Sequence, residues 1–365
     1  MLAEDAADRL VRNVRAVALR RVVSAIVEAG GSARSEAELV ADNLVFANLS
    51  GHDSHGVGML PRYVDALVEG GLRVNQHAAV ELDTGALLRL DGQFGYGQVV
   101  GREAMALGVE RALEHGCAVV ALANAHHLGR IGHWAEQCLE RGLISLHFVN
   151  VVARPIVAPF GGTDARSGTN PVCIGIPLPG REPLVLDFAT SRIAQGKARL
   201  AHQRGDRVPP GFLLDDAGET TSDPRFAVVP PFGALLPFGE HKGFGLNLVA
   251  ELLGGALTGS ATGRRPYSGS RVILNGMLSI VIDPAKLGTA PHFAEEAAAY
   301  IAWLQQARTP DGGDGVRLAG DIERQTRVER NRAGIPLDLP SWLEILGAGA
   351  KLGLDPDGLE ALAAS

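Results

Sequence analysis

The sequence predicts an α/β protein with a helical N-terminal part, a central mixed sheet and a C-terminal stretch that returns to the first part. Three observations carry this. Apolar residues recur at helical spacing near both ends of the chain. Short apolar runs at 117–122, 143–149, 172–176 and 184–188 punctuate its middle. The first two of these runs flank a helical segment, a strand–helix–strand unit that implies some parallel pairing. The 365 residues then divide into a helical N-terminal subdomain (1–75), a mixed α/β domain (76–290) and a C-terminal helical segment (291–365) packed back on the first.

Each element follows from its residues. Residues 8–29 read as an amphipathic helix with Val11, Val14, Ala18, Val22 and Ile26 near one face, stopped by Gly30 and Gly31. A second helix starts at Ser35, where Ser35 and Glu38 form a capping box, and runs to about Leu49. A polar, glycine-rich turn at 51–56 feeds Pro61-Arg62-Tyr63 and another helix. Residues 78–90 alternate around Asp83-Thr84-Gly85, a hairpin signal. A helix from Gln98 to His115 closes at Gly116, followed by a strand at 117–122, a loop at 124–130, a helix through Trp134 and Leu139, and a strand at 143–149.

Residues 150–175 carry no helical period, and strands follow at 172–176 and 184–188. Residues 202–237 are rich in Pro, Gly and Asp and read as irregular. A helix at 240–257 turns Phe244, Leu248, Val249, Leu252 and Leu253 inward, and 271–282 reads as a strand or a hairpin around Asn275-Gly276. Helices near 292–307 and 341–353 close the chain, the latter with Ser341 and Glu344 as a capping box, and 309–315 reads as a mobile loop.

Bulk properties exclude several classes. Lys and Arg number 34 against 41 Asp and Glu, a net charge of −7, which disfavours phosphate-backbone binding and so a nucleic-acid partner. No run of about 18 apolar residues suggests a membrane span, and the N-terminus places acids first, unlike a secretory signal. Cys117, Cys138 and Cys173 are odd in number and form no CxxC, so a cytoplasmic protein with buried, packing cysteines is expected. There is no intact GxGxxG, no Walker A, no HExxH, and no GxSxG around Ser54.

Polar residues nevertheless collect at the ends of elements, where α/β proteins place function. His52-Asp53-Ser54-His55, His126-His127 and Glu240-His241-Lys242 hold five of the eleven histidines. An isolated histidine is more often a surface or satisfied core residue; three clusters in glycine-rich turns are harder to explain that way. Reduction of a 2-oxo acid needs a hydride donor, a proton donor at the carbonyl oxygen, and a cation for the carboxylate. Histidine suits the second role and is usually oriented by a carboxylate, so His55, Asp187 and a loop cation could supply the set. Three other readings compete. A zinc site on His52, His55, His126, His127 or His133 lacks a known ligand spacing. A serine hydrolase using Ser54, a histidine and Asp187 lacks the nucleophile elbow. A non-catalytic structural protein would not need so many polar loops.

The segments GHDSHGVGMLPRYV (51–64), HHLGRIGHWAEQ (126–137), PFGGTDARSGTNP (159–171), LVLDFATS (184–191), LLPFGEHKGFGL (235–246) and GIPLDLPSW (334–342) resemble the malate/L-lactate dehydrogenase family of the non-Rossmann type. The resemblance spans almost the whole chain, and its wording is closest to the hydroxycarboxylate dehydrogenase B subgroup. It implies a mixed-sheet, non-Rossmann oxidoreductase fold, a homodimer, and NAD(P)H-dependent reduction of 2-oxo acids, arylpyruvates among them. Malate or lactate dehydrogenation, or reduction of a cyclic imine such as piperideine-2-carboxylate, are the alternatives it leaves.

By the same resemblance His55 is the general acid, positioned by Ser54 and Asp187, with His127 second in rank for that role. The cofactor, NAD or NADP, would lie along Gly129, Arg130 and Ile131, along Val185, Leu186, Asp187, Phe188 and Ala189, and against His55, His241 and Lys242. Asn275, Gly320, Asp321, Ile322 and Glu323 would complete its pocket, with no metal. The turn that opens the helix near 240 offers N–H groups for a pyrophosphate. One position departs from the family. Where many members carry a substrate-binding arginine five residues after the motif serine, this chain has Met59. The carboxylate clamp then falls to Arg62, Arg154 or Arg166, or the pocket is more apolar and favours larger, aromatic substrates.

Overall fold

A computed structural model describes residues 11–265, 270–310, 313 and 315–364. Its strands are β1 (Val11–Val14), β2 (Ala79–Asp83), β3 (Leu87–Asp91), β4 (Cys117–His126), β5 (Ile144–Val152), β6 (Val172–Ile176), β7 (Leu184–Phe188), β8 (Leu213–Leu214), β9 (Thr220–Thr221), β10 (Ala234–Leu235), β11 (Leu274–Ile282) and β12 (Ile335–Asp338). Its α-helices, numbered here in chain order, are α1 (Ala16–Ala29), α2 (Arg34–Leu49), α3 (Leu60–Val68), α4 (Gly97–His115), α5 (Gly132–Leu139), α6 (Gln195–Arg204), α7 (Arg225–Val228), α8 (His241–Ala250), α9 (Ala290–Gln305), α10 (Asp321–Ala333), α11 (Leu339–Lys351) and α12 (Pro356–Ala364).

Seven strands form the central sheet, in the order β2-β3-β4-β11-β5-β6-β7. The strand–helix–strand unit β4–α5–β5 is present, but its strands do not pair with each other. β11 lies between them and is antiparallel to both. β4 and β5 therefore run the same way one place apart, and the parallel pair is β3–β4 instead. β11 is buried along most of its length, as its nearly unbroken apolar run requires of a central strand. It is one strand rather than a hairpin, and Asn275-Gly276 marks a bulge in its pairing with β4.

The N-terminal helix is shorter than expected. Residues 8–10 lie outside the described residues, and Val11–Val14 form a strand paired antiparallel with β12. One core joins both ends of the chain: Leu19, Val22, Ile26, Leu44 and Tyr63 pack with Trp342, Ile345 and Leu359. Neither expected capping box forms. The helix α2 begins one residue early, with Ala33 N–H donating to Asn75 Oδ1 at 2.7 Å, while Glu38 pairs with Arg34. Helix α11 is capped by Asp338, whose carboxylate accepts from Ser341 N and Oγ at 2.8 and 2.9 Å.

The helix at 240–257 is inverted relative to expectation. Leu248, Val249 and Leu252 are 47%, 41% and 51% exposed, whereas Gly243, Asn247, Ala250, Gly254 and Gly255 are buried. The reason is close approach. A Cβ on Gly254 would stand 2.6 Å from Phe148 O and 2.7 Å from Asn150 N, so this segment, a π-helix from Glu251 to Ala256, lies on the backbone of β5 through its small residues. Large apolar side chains are left outside.

Residues 202–237 are not wholly irregular, since β8, β9 and β10 make a small three-stranded sheet. Cys138 and Cys173 are buried as expected, but Cys117 is exposed. The expected loop at 309–315 lies partly outside the described residues, at 311, 312 and 314. Among the described residues no helix is long and apolar enough to cross a membrane.

Candidate active site

The cluster 52–55 follows α2 and forms a tight 3-10 turn, Asp53–His55. Its shape is set by Asn48 at the end of α2. The Asn48 amide accepts from Val57 N at 2.8 Å and donates to Asp53 Oδ1 at 2.6 Å. Any side chain on Gly56 would overlap that amide. From the far end of the chain, α10 fastens the same turn. Arg330 donates to both oxygens of Asp53, at 2.6 and 3.0 Å, and to Asn48 O. Arg327 reaches Ser50 Oγ and Glu136, and Glu323 pairs with His52 Nε2 at 3.1 Å.

Within the turn, Ser54 Oγ lies 3.0 Å from His55 Nδ1. The His55 ring stacks on His127, with centroids 5.6 Å apart and planes 18° apart. β4 extends four residues past its expected end, so His126 is its last residue and is fully buried, and His127 follows directly. His127 Nδ1 is 2.7 Å from Tyr63 OH, which in turn accepts from Gln98 Nε2 at 2.9 Å.

Asp187 on β7 is placed beside this pair but hydrogen-bonds elsewhere. Its Oδ2 accepts from Gly132 N at 2.7 Å and lies 3.8 Å from Arg130 Nε. Its charge is close enough to raise the pKa of His55. Asp187 thus influences His55 through space, and the direct bond expected between them is replaced by one to the start of α5.

The expected cofactor segments meet in part. Gly129 adopts φ +72°, Ile131 is buried, and Arg130 is fixed on Glu136 at 2.6 Å, its Nε a buried donor with no hydrogen-bond partner. Val185 N donates to Ala319 O, and Arg324 binds both Pro183 O and Asp321, which also accepts from Leu318 N. Gly320, Asp321, Ile322 and Glu323 therefore sit against the edge strand β7, where Leu186 is exposed and Phe188 and Ala189 are half-buried. Asn275 is committed to holding the frame. Its Oδ1 accepts from Leu128 N and its Nδ2 donates to Asn150 O, both at 2.8 Å, tying β4 to β5.

His241 and Lys242 stand exposed at the start of α8, linked to β7 by Phe238, whose ring meets Phe188 at 5.5 Å. The expected cradle of helix N–H groups is partly spent. Lys242 N and Gly243 N donate back to Gly239 O and Phe238 O, and Gly243 is required because any Cβ would overlap Phe238 O. What this terminus offers an anion is chiefly the exposed side chains of His241 and Lys242.

Burial dominates the electrostatics. It lowers His55 to about 4, with help from His52 and Arg130 and against Asp187. It lowers His126 to about 3 and His127 well below its ordinary value, so both are neutral. Glu323 falls to about 2, first through its bond to His52. Of the three arginines considered for the carboxylate, Arg166 pairs with Asp164 and Arg154 lies over the Phe232 ring at 3.7 Å. Arg62, whose Nε donates to Arg271 O, is near enough to depress both His126 and His127. Met59 packs against the N-terminal core. Among the described residues no group of three or more His, Cys, Asp or Glu is placed to hold a metal.

Sequence reasoning missed Tyr63, Gln98 and Arg330. Tyr63 stood in a quoted motif, but nothing local pairs it with a histidine 64 positions away.

Comparison with known proteins places the chain. A family model described as malate/L-lactate dehydrogenase matches residues 14–346. Hydroxycarboxylate dehydrogenase B from Escherichia coli is 46% identical over 345 residues, 94% of this chain and 95% of that protein. An L-lactate dehydrogenase from Cupriavidus necator is 39% identical over 80% of this chain and 84% of its own length. A solved E. coli structure of malate/lactate dehydrogenase type superposes with a TM-score of 0.93 at 44% identity, covering 97% of this chain and 100% of that one.

Proposed function

This chain belongs to the malate/L-lactate dehydrogenase family, and we propose that it is an oxidoreductase interconverting 2-oxo and 2-hydroxy acids with NAD(H) or NADP(H). The observation that carries the reading is the paired site: His55, held by Ser54, stacked on His127 and within the field of Asp187. A dinucleotide fits the edge of β7, where segments 129–131, 185–189 and 320–323 converge and the buried Arg130 Nε has no hydrogen-bond partner. A bound reduced nicotinamide supplies the hydride.

The chain's own residues supply the rest. As hydride reaches the carbonyl carbon, the C=O π pair moves to oxygen and takes a proton from His55. Alone, His55 is neutral near pH 7. An entering substrate carboxylate adds to the field of Asp187 and raises its pKa, so His55 takes up a proton as the acid binds. Arg62, the candidate arginine in electrostatic reach of His127, takes the clamp that Met59 cannot provide. With an apolar Met59 in place of a charged side chain there, larger side chains such as those of arylpyruvates suit the site better than malate. A Ser–His–Asp hydrolase line is disfavoured, because the Asp187 carboxylate is bound to Gly132 N. The exposed Leu248, Val249, Leu252 and Leu257 suit the face of a second copy, hence a homodimer. Free cysteines suit the reducing cytoplasm.

The test is oxidation of NADH and NADPH against phenylpyruvate, hydroxyphenylpyruvate, pyruvate, oxaloacetate and piperideine-2-carboxylate, with His55→Ala beside the wild type. Turnover of an oxo acid, lost in His55→Ala, is expected. Oxaloacetate as best substrate by kcat/KM would refute the apolar-pocket reading. Reaction of the cyclic imine alone would refute the oxo-acid class. Failure of both cofactors to bind or react would end the oxidoreductase reading.

A further inference from the structure

We propose that Tyr63 and Gln98 lock His127 in one tautomer, so that it serves as a neutral hydrogen-bond donor to a substrate oxygen through Nε2 and leaves proton transfer to His55. The inference rests on the oxidoreductase reading above and divides the labour between two histidines that the sequence left as rivals for one role.

The argument starts from an atom whose role is fixed. The backbone carbonyl of His127 can only accept. Gln98 faces it with its amide nitrogen at 3.3 Å, so the side-chain NH2 is oriented there rather than the amide oxygen. The same nitrogen is 2.9 Å from Tyr63 OH and donates its other hydrogen to the phenol oxygen. The Tyr63 hydroxyl hydrogen is then directed to its remaining near partner, His127 Nδ1, at 2.7 Å. Nδ1 is thereby an acceptor and carries no proton, and the proton of a neutral imidazole resides on Nε2.

Two further features keep the chain in that state. Tyr63, Gln98 and His127 are buried, at 0%, 2% and 8% exposure. Burial holds the Tyr63 phenol above its ordinary pKa, so it remains an O–H donor, and holds His127 below its own, so the ring remains neutral. The link also spans three elements, α3, α4 and the end of β4. The direction of each bond is thus set by packing rather than by local sequence. Among the described residues Nε2 has no hydrogen-bond partner, which leaves it for a ligand. An Nε2–H aimed at the carbonyl oxygen stabilises charge that grows there during hydride addition.

The experiment reverses the chain without changing its size. In Gln98→Glu a carboxylate replaces the donor. The Tyr63 hydroxyl turns to it, the phenol oxygen accepts from His127 Nδ1–H, and Nε2 is stripped of its proton. With the full-length enzyme labelled in histidine nitrogen, NMR of the wild type should show His127 protonated on Nε2, and Gln98→Glu should show it on Nδ1. The kcat/KM for the oxo acid should fall about 100-fold, with cofactor affinity retained, and should recover as pH is lowered enough to protonate the introduced carboxyl. Tyr63→Phe, which only removes the lock, should show a mixture of tautomers and a smaller loss, and it decides the matter if Gln98→Glu does not fold. A wild-type His127 protonated on Nδ1, or a Gln98→Glu enzyme with unchanged tautomer and rate, overturns the proposal. A wild type with the Nε2–H signature but no reductase activity overturns the functional reading instead.

Discussion

The two histidine pairs that build the site are immobilised in opposite ways. His126 and His127 are held by the sheet. They sit at the end of β4 next to the central strand, buried, neutral and ringed by Tyr63, and their position follows from backbone pairing. His52 and His55 are held by side chains from a distant helix, through Glu323, Arg327 and Arg330 of α10. A histidine locked in a core is a fixed donor or a spacer. A histidine on a pinned turn can take up a proton when a ligand arrives, and its geometry depends on every pin. The turn at 52–55 should therefore be the more fragile half.

The largest effect is expected where the turn is wedged. A Cβ on Gly196, at the start of α6, would overlap Ser54 Cβ. Gly196→Ala should push Ser54 and His55 out of place and lower kcat/KM by about 100-fold, the scale of an ångström-sized misplacement. Steady-state kinetics beside cofactor binding by calorimetry checks this; unchanged kcat/KM would mean that α6, not the turn, gives way.

Next is the pin itself. Arg330→Met removes the two-point contact with Asp53 and should lower kcat by about 10-fold, less than the loss of a catalytic group. The N-terminal core should be little affected, because Asp53 is half exposed and exposed ion pairs add little stability. A large fall in Tm would show that the turn is part of the fold rather than an appendage to it.

Acid should weaken both halves. Buried His126 and His147 are lowered to about 3, and His55 and His133 to about 4, from an ordinary 6.5. Each binds a proton more readily unfolded, so the stability from keeping them neutral is complete above pH 6.5 and is lost as pH falls toward 4 and 3. Urea midpoints measured between pH 7.5 and pH 4.5 (the assay range) should decline steadily; a flat profile would show that these rings are not buried as described.

The smallest effect tests the sheet-held pair. Both His126 nitrogens are buried without partners. His126→Phe keeps the edge-to-face contact with Tyr63 and removes two unsatisfied polar atoms, and should be neutral or stabilising by about 1 kcal/mol. Thermal melts decide this, and a clear loss of stability would show that the ring nitrogens are satisfied.

Much of this was legible from local pattern. The strands at 172–176 and 184–188 were read at their observed bounds, because alternation and flanking Pro and Gly are local signals. Ser54, His55 and His127 were read as one site, and the structure brings them together. Other features were hidden for identifiable reasons. Alternation shows that β11 is a strand but not that it inserts between β4 and β5. The helical period of 240–257 was correct and its inner face wrong, since large apolar residues normally mark the core. Here a close approach to β5 selects the small residues Ala250, Gly254 and Gly255 instead.

By itself the sequence determined which segments could be helix or strand, the α/β class, the family, and the residues able to do proton chemistry, because periodicity, turn residues and motifs are written along the chain. Only the tertiary structure decided that α10 fastens the turn at 52–55, that Asp187 bonds to Gly132, and that Gln98 and Tyr63 meet at His127. Those are contacts between residues 29 to 282 positions apart. Their direction and length are fixed by how the layers pack, and no local pattern encodes packing.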